Sequence, residues 1–436
     1  MIGRTVLNAW RSKATPSVSS SSSPSSNLVK HCQLLVVGGG SGGLGATAIL
    51  GNKFKTIVVE PGDFHYYQPY FTFVGVGLKQ LNECRLPMRK VIPLYAQWIK
   101  ESVSSFEPIQ DLVITDSGTI IKYDILIVAT GIYPAFSKIP GLIEALKTPN
   151  VGSNYTPETV TKTFSALRNF KHGNAVFTYP STPIKCPGAP QKAVYLSDEY
   201  LRKQGKRDKA NLIYNTASEV LFGVKKYADS LWQVANKKGI KVNLHHKLVQ
   251  VEPGQQKAIF EQTQGDVKKR VSVDYEMLHV TPPMFPVEAT AKSPLADSAG
   301  FVDINRRTLQ HNTFKNVFAI GDCTAHLPKT AAAVAASLAI LDENVRAFNS
   351  GKDIKAYYNG YTSCPLTTGF NKCILAEFDG FTSEPMETFP IDQSKERWSM
   401  YYIKRDVIPA IYWKLFVKGK WTGPSTLRRL MRFGSS

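Results

Sequence analysis

Apolar residues in this chain come in short unbroken runs closed by glycine or a carboxylate, and helical spacing of apolar positions separates the runs. Residues 34–37 are apolar and run into Gly38, the small-residue stretch SGGLGATAIL follows, and the next run, TIVV, ends at Glu60. Runs of that length predict buried parallel strands, and the stretch between them a crossover helix. The pattern recurs. Residues 123–129 close on Thr130-Gly131, and NVFAIGD, residues 316–322, delivers Asp322 at its tip before a helix from about Thr330. Residues 91–106 predict a helix and a short strand at 103–106, and DLVITDSGTIIKYD a hairpin. Farther on, a strand at 175–180, a helix at 193–204, a strand at 211–214, a helix at 227–238 and strands near Val242 and Ala258 predict an inserted unit that ends at 278–283. Alternating strands and helices in this order predict an α/β fold with parallel sheets.

The glycines give the first unit a chemistry. Gly38, Gly40 and Gly43, with Gly42 between, form G-x-G-x-x-G: the first permits a tight bend, the second lets the backbone approach a pyrophosphate, and the third lets helix and strand pack closely. Backbone N–H groups at the helix start attract the anion. Glu60, 17 residues after Gly43, can accept hydrogen bonds from both ribose hydroxyls of an adenine nucleotide. Thr130-Gly131 makes a small-residue turn beside such a ligand, Asp322 can hold a ribityl or ribose hydroxyl, and the helix N-terminus at Thr330 carries partial positive charge. The inserted unit has no second loop of this kind. Its strand runs into STPIKCPGAPQKA, where prolines and Cys186 stand in place of phosphate-cradling glycines. Residues 63–69, DFHYYQP, read equally as a loop closing over a cofactor or as core aromatics.

Composition and charge narrow the class. A chain of 436 residues with 43% hydrophobic content can bury two or three cores, as a multidomain enzyme does. No apolar run is long enough to span a membrane. The net charge of +19 implies an anionic partner, whether nucleic acid, anionic lipid or charged substrate. Residues 1–30 are basic and Ser-rich, with Arg4, Arg11 and Lys13 and no acidic residue, which predicts a mitochondrial transit peptide or a disordered tail. The six cysteines lack the close pairing of a zinc site, so no metal is predicted. Beyond residue 350, residues 398–421 interleave Tyr401, Tyr412, Trp413 and Phe416 with lysine and arginine. Nucleic-acid binding uses such mixtures, but the apolar clustering better fits an amphipathic segment in a membrane interface, where aromatics sit at headgroup level and basic side chains snorkel. A dimer surface or a core helix pair accounts for the same pattern.

Taken together, these features resemble the two-dinucleotide-binding-domain flavoproteins, with a glutathione-reductase-like FAD fold of two Rossmann-like domains. YYQP at 66–69, KCPGAPQK at 185–192, FGVKKYADSL at 222–231, YEMLHVTPPM at 275–284, KTAAAVAA at 329–336, TSCPL at 362–366 and IDQSKERWSMY at 391–401 resemble the mitochondrial sulfide:quinone oxidoreductase family, from about residue 33 to the end. The resemblance implies an FAD domain in two parts, 31–170 and 291–350, a second Rossmann-like domain at 171–290 carrying the first redox cysteine, and a C-terminal region, 351–436, with the second redox cysteine, the quinone site and the membrane anchor.

It implies non-covalent FAD at Gly38, Gly40, Gly42, Gly43, Glu60, Gln68, Val103, Thr130, Gly131 and Asp322, with Lys329 and Thr330 near the isoalloxazine. Bacterial relatives carry a further cysteine where residues 153–155 have none, which removes a covalent flavin link. Cys186 and Cys364 are the implied redox pair: sulfide opens their bridge, leaving a persulfide on Cys364 and a flavin-facing thiolate on Cys186, and ubiquinone takes the electrons near Tyr401, Tyr412, Trp413 and Phe416. Glutathione or another sulfane-sulfur acceptor, no nucleic acid, a homodimer, and a peripheral or monotopic site on the matrix face of the mitochondrial inner membrane complete the implication. Residues beyond 395 are expected to serve the membrane and not FAD binding. Two other readings stand beside it: a type II NADH:quinone dehydrogenase-like flavoenzyme, against which the missing second loop argues, and a non-enzymatic flavin-stabilised scaffold.

Overall fold

A computed structural model describes residues 29–431; the transit-peptide expectation falls almost wholly outside them. The strand Val29–Val37 is the centre of the first sheet. It pairs in parallel with Thr56–Val59, Leu34 opposite Thr56, and with Ile120–Val128, Leu34 opposite Ile125. Ala96–Ile99 extends the sheet beyond Thr56–Val59, and Val317–Ala319 joins the last residues of Ile120–Val128, both in parallel. Leu34, Val36, Val58 and Ile127 are wholly buried, which is why these segments read as unbroken apolar runs. The carboxyl ends of the parallel strands, at Val37, Val59, Val128 and Ala319, meet along one edge, where ligands bind in open α/β sheets. A hairpin, Val103–Glu107 with Leu112–Thr115, pairs antiparallel with the opposite, amino end of Ile120–Val128.

The second sheet is also parallel, in the order Val151–Gly152, Met277–His279, Gly173–Tyr179, Ala210–Thr216, Lys241–Asn243. A three-stranded antiparallel sheet, His246–Glu252, Lys257–Gln264 and Val267–Asp274, follows it. The α/β class with two parallel sheets is therefore the observed one. Three elements differ from expectation. The helix expected from residue 91 is a single turn, Met88–Val91, because Pro93 has no N–H to continue it, and Ala96–Ile99 enters the first sheet instead. The helix after Cys186 starts earlier, spanning Ala189–Lys203, with Pro190 in the first turn where a missing N–H costs nothing.

The third difference is at the C-terminus. The chain forms a hairpin, Tyr361–Gly369 with Lys372–Asp379, then a helical run made of Trp398–Tyr402, a π-helical turn Ile403–Val407, and Ile408–Lys414. Its inner face is core. Tyr401, Lys404, Tyr412 and Phe416 are buried, and the Phe416 ring lies against Gly45 of the helix Ser41–Leu50. Among the described residues, no helix is long and apolar enough to cross a membrane.

Candidate active site

A cavity of about 520 Å³ opens where the carboxyl edge of the first sheet meets the Cys186 loop, the long helix Ala331–Asn349 and the C-terminal run. The loop after Val37 forms one wall. Gly38 has φ +108°, a conformation side chains avoid, and a Cβ at Gly43 would overlap the Gly38 carbonyl. Gly40, by contrast, faces open space. The Glu60 carboxylate is aimed by two backbone donors, Gly39 N–H and Gly62 N–H, each at 2.6 Å. At the far wall Thr330 caps the long helix, its Oγ1 accepting from Ala333 N–H at 3.0 Å. Lys329 donates to the Thr324 carbonyl, and burial lowers its pKa and raises that of Asp322 beside it.

Cys186 Sγ and Cys364 Sγ stand 3.6 Å apart as free thiols. Cys186 has φ +55°, and its N–H donates to the Lys329 carbonyl at 2.8 Å, which ties the cysteine loop to the start of the long helix. Cys364 comes from the hairpin strand and packs against Gly188, the residue that precedes the helix Ala189–Lys203. Lys192, buried in the first turn of that helix, donates to Cys186 Sγ at 3.2 Å and to Cys364 Sγ at 3.8 Å. The pair shares one proton. Hydrogen bonding from Cys364, then the Lys192 charge, holds Cys186 well below the ordinary thiol range, and the same hydrogen bond with burial holds Cys364 well above it. The other cysteines differ: burial pushes Cys32, Cys84 and Cys373 up to about 12 and Cys323 to about 11. A depressed thiol beside a raised one makes Cys186 the more nucleophilic of the two sulfurs.

Residues 32–337 match the family model for pyridine nucleotide-disulphide oxidoreductases. The mitochondrial sulfide:quinone oxidoreductase of Mus musculus is 48% identical over 409 residues, which are 93% of this chain and 90% of the mouse protein. The chain belongs to the sulfide:quinone oxidoreductase family. The solved structure of the sulfide:quinone oxidoreductase from Aquifex aeolicus shares the fold at a TM-score of 0.78 and 20% identity, covering 93% of this chain and 96% of that one. The NDH2 structure from Plasmodium falciparum in complex with NADH shares less of it, with a TM-score of 0.51, 14% identity, and coverage of 67% and 64%.

As a member of this family, the chain gathers most of the expected cofactor residues on the cavity wall: Gly38, Gly40, Gly42, Glu60, Gln68, Thr130, Gly131, Asp322, Lys329 and Thr330. Gly43 lies beneath the loop. Val103 is outside the wall, because its hairpin pairs with the amino end of Ile120–Val128 and the cavity lies at the carboxyl end. Cys186, Tyr412 and Phe416 reach the cavity, Cys364 sits behind Cys186, and Tyr401 and Trp413 pack behind the wall.

Sequence reasoning missed Lys192, Lys404 and His65. Lys404, on the π-helical turn, is buried with its Nζ 3.1 Å from the Pro69 carbonyl and over the Tyr67 ring, and burial lowers its pKa to about 8. π-Helical turns concentrate at functional sites. Each lysine broke a local rule: Lys192 puts a cation at a helix N-terminus, and Lys404 sits on the face that Tyr401 and Ile408 make apolar.

Proposed function

We propose that this chain oxidises sulfide and reduces ubiquinone with non-covalent FAD in the cavity, handing the sulfur to a small thiol such as glutathione. The carrying observation is the Cys186–Lys192–Cys364 cluster opening onto the same cavity as the nucleotide loop. The residues present fit FAD. Gly40 and Gly131 leave open space, Glu60 is fixed for a ribose, and Lys329 and Thr330 stand at the N-terminus of the long helix. Bound there, FAD would supply a two-electron carrier between the re-forming cysteine bridge and the quinone.

The protein supplies the rest. Thiol–disulfide exchange favours the sulfur whose partner is the better leaving group, and the lower-pKa thiolate leaves faster. Hydrosulfide therefore attacks Cys364 Sγ: the S–S bond breaks, Cys364 carries the persulfide, and Cys186 departs as a thiolate beside Lys192. A thiolate acceptor then attacks the outer sulfur, forms its own persulfide, and expels Cys364 as a thiolate, and the pair takes up one proton from solvent. The Cys186–Cys364 pair is left two electrons richer and poised to close. Ile403, Ile408, Ile411 and Phe416 give the C-terminal wall an apolar lining suited to a quinone tail, and Lys404 can hold a proton there. Trp398 and Tyr402 are exposed, as are Lys414, Lys418 and Lys420, the residue types that would meet the matrix face of the inner membrane.

In an anaerobic stopped-flow experiment, Cys186→Ser and Cys364→Ser should each retain bound flavin and lose its bleaching by sulfide. Full sulfide-dependent quinone reduction by either variant would overturn the relay.

A further inference from the structure

Tyr412, on the C-terminal helical run, reaches back to the nucleotide loop. Its hydroxyl lies 2.7 Å from Ser41 Oγ and 2.6 Å from His65 Nε2, and His65 Nδ1 lies 3.0 Å from the Gly39 carbonyl. All of these groups but Ser41 are deeply buried, and burial lowers the His65 pKa to about 4, so the ring is neutral at physiological pH. A neutral imidazole has one donor and one acceptor. The Gly39 carbonyl can only accept, so Nδ1 carries the proton, Nε2 accepts from the Tyr412 hydroxyl, and Tyr412 oxygen is left to accept from Ser41. The order of donation is fixed along the whole chain.

This relay grips the loop at Gly39 and Ser41, the two residues that flank Gly40, whose open face is where the pyrophosphate approaches. Gly39 is held from both sides, its N–H by Glu60 and its carbonyl by His65. The ring of Tyr412 is also packed apart from its hydroxyl, stacked on Phe416 with centroids 5.0 Å apart.

We propose that Ser41, His65 and Tyr412 are positioning residues that link cofactor retention to the seating of the C-terminal run, so that FAD is held tightly only when the quinone-side wall is in place. This inference rests on the FAD reading above. Linkage is reciprocal: whatever the seated run contributes to FAD affinity, bound FAD contributes to the seating of the run.

The test measures FAD release from the full-length protein by flavin fluorescence, with proteolysis of the C-terminal run followed in parallel with and without FAD. Tyr412→Phe keeps the ring and removes the hydroxyl. It should release FAD roughly tenfold faster, as loss of a buried hydrogen bond would give, and FAD should no longer slow cleavage of the run. Ser41→Ala should show the same increase, Ser41→Thr should restore slow release, and the Ser41→Ala/Tyr412→Phe double variant should be no worse than either single one. If Tyr412→Phe fails to fold, the Ser41 pair decides alone. Release within twofold of wild type in Tyr412→Phe or Ser41→Ala overturns the linkage, as do effects that multiply in the double variant. A wild-type chain that retains no FAD overturns the FAD reading instead.

Discussion

Lys192 is a buried cation whose side-chain hydrogen-bond partners among the described residues are two sulfurs. Burial works to strip its proton, but the negative charge of the cysteine pair outweighs that and raises its pKa. The ammonium and the thiolate therefore sustain each other, and closing the bridge removes the anion that keeps Lys192 charged. The direction of the Cys186 shift fixes a pH dependence. A depressed thiol pKa means that the thiolate persists as pH falls below the ordinary value near 9. In the reduced protein, a small alkylating reagent should modify Cys186 at pH 6–7 and leave Cys364 and the buried cysteines untouched. Lys192→Met should move that reaction to higher pH, slowing it about tenfold for each unit of pKa regained. Mass spectrometry of the labelled peptides reads both, and equal labelling of Cys186 and Cys364 at pH 6 would contradict the assignment of the thiolate.

At the scale of elements, the cysteine pair is made by one close approach. A Cβ at position 188 would stand 2.5 Å from Cys364 Sγ and 2.6 Å from Leu366 Cδ2, so the helix Ala189–Lys203 and the hairpin meet this closely only through glycine. Gly188→Ala should push the hairpin away at a cost of about 1–3 kcal/mol. Bridge closure should slow while flavin retention holds, since Gly188 is not on the cavity wall. Thiol titration after mild oxidation, with thermal unfolding, measures the two effects. How far each part of the site was legible follows from the same geometry. The nucleotide loop reads directly because strand, turn and helix are neighbours in sequence, and Glu60 follows one strand later. Cys186 and Cys364 were legible only through resemblance, since 178 residues separate them. The relay from Ser41 to Tyr412 spans 371 residues and had no local signal. Lys192 and Lys404 look like surface charges in a sequence, because a buried cation is recognised by its partners and not by its spacing.

For the molecule as a whole, the C-terminal run has one buried face and one exposed face. The inner face lines the same cavity as the nucleotide loop and packs Tyr412 on Ser41 and Phe416 on Gly45, so residues beyond 395 should serve FAD binding as well as the membrane, contrary to what the sequence suggested. Deleting them would remove cofactor and membrane affinity together and could not separate the two. The outer face can be tested alone. Trp398 is 64% exposed and Tyr402 stacks on it at 44%, and on the separate helix Ser425–Met431 that follows, Leu430 is 70% exposed. Burying a large apolar side chain contributes about 1.5–3 kcal/mol, and each nearby basic residue about 1 kcal/mol at an anionic surface. Trp398→Ser/Tyr402→Ser/Leu430→Ser should therefore weaken sedimentation with anionic vesicles by a hundredfold or more. High salt should weaken the wild type less, because it screens only the basic residues. The triple variant should keep its flavin and its bleaching by sulfide, and lose turnover only with long-tailed quinone presented in vesicles. Sedimentation equal to wild type would show that this face does not meet the membrane.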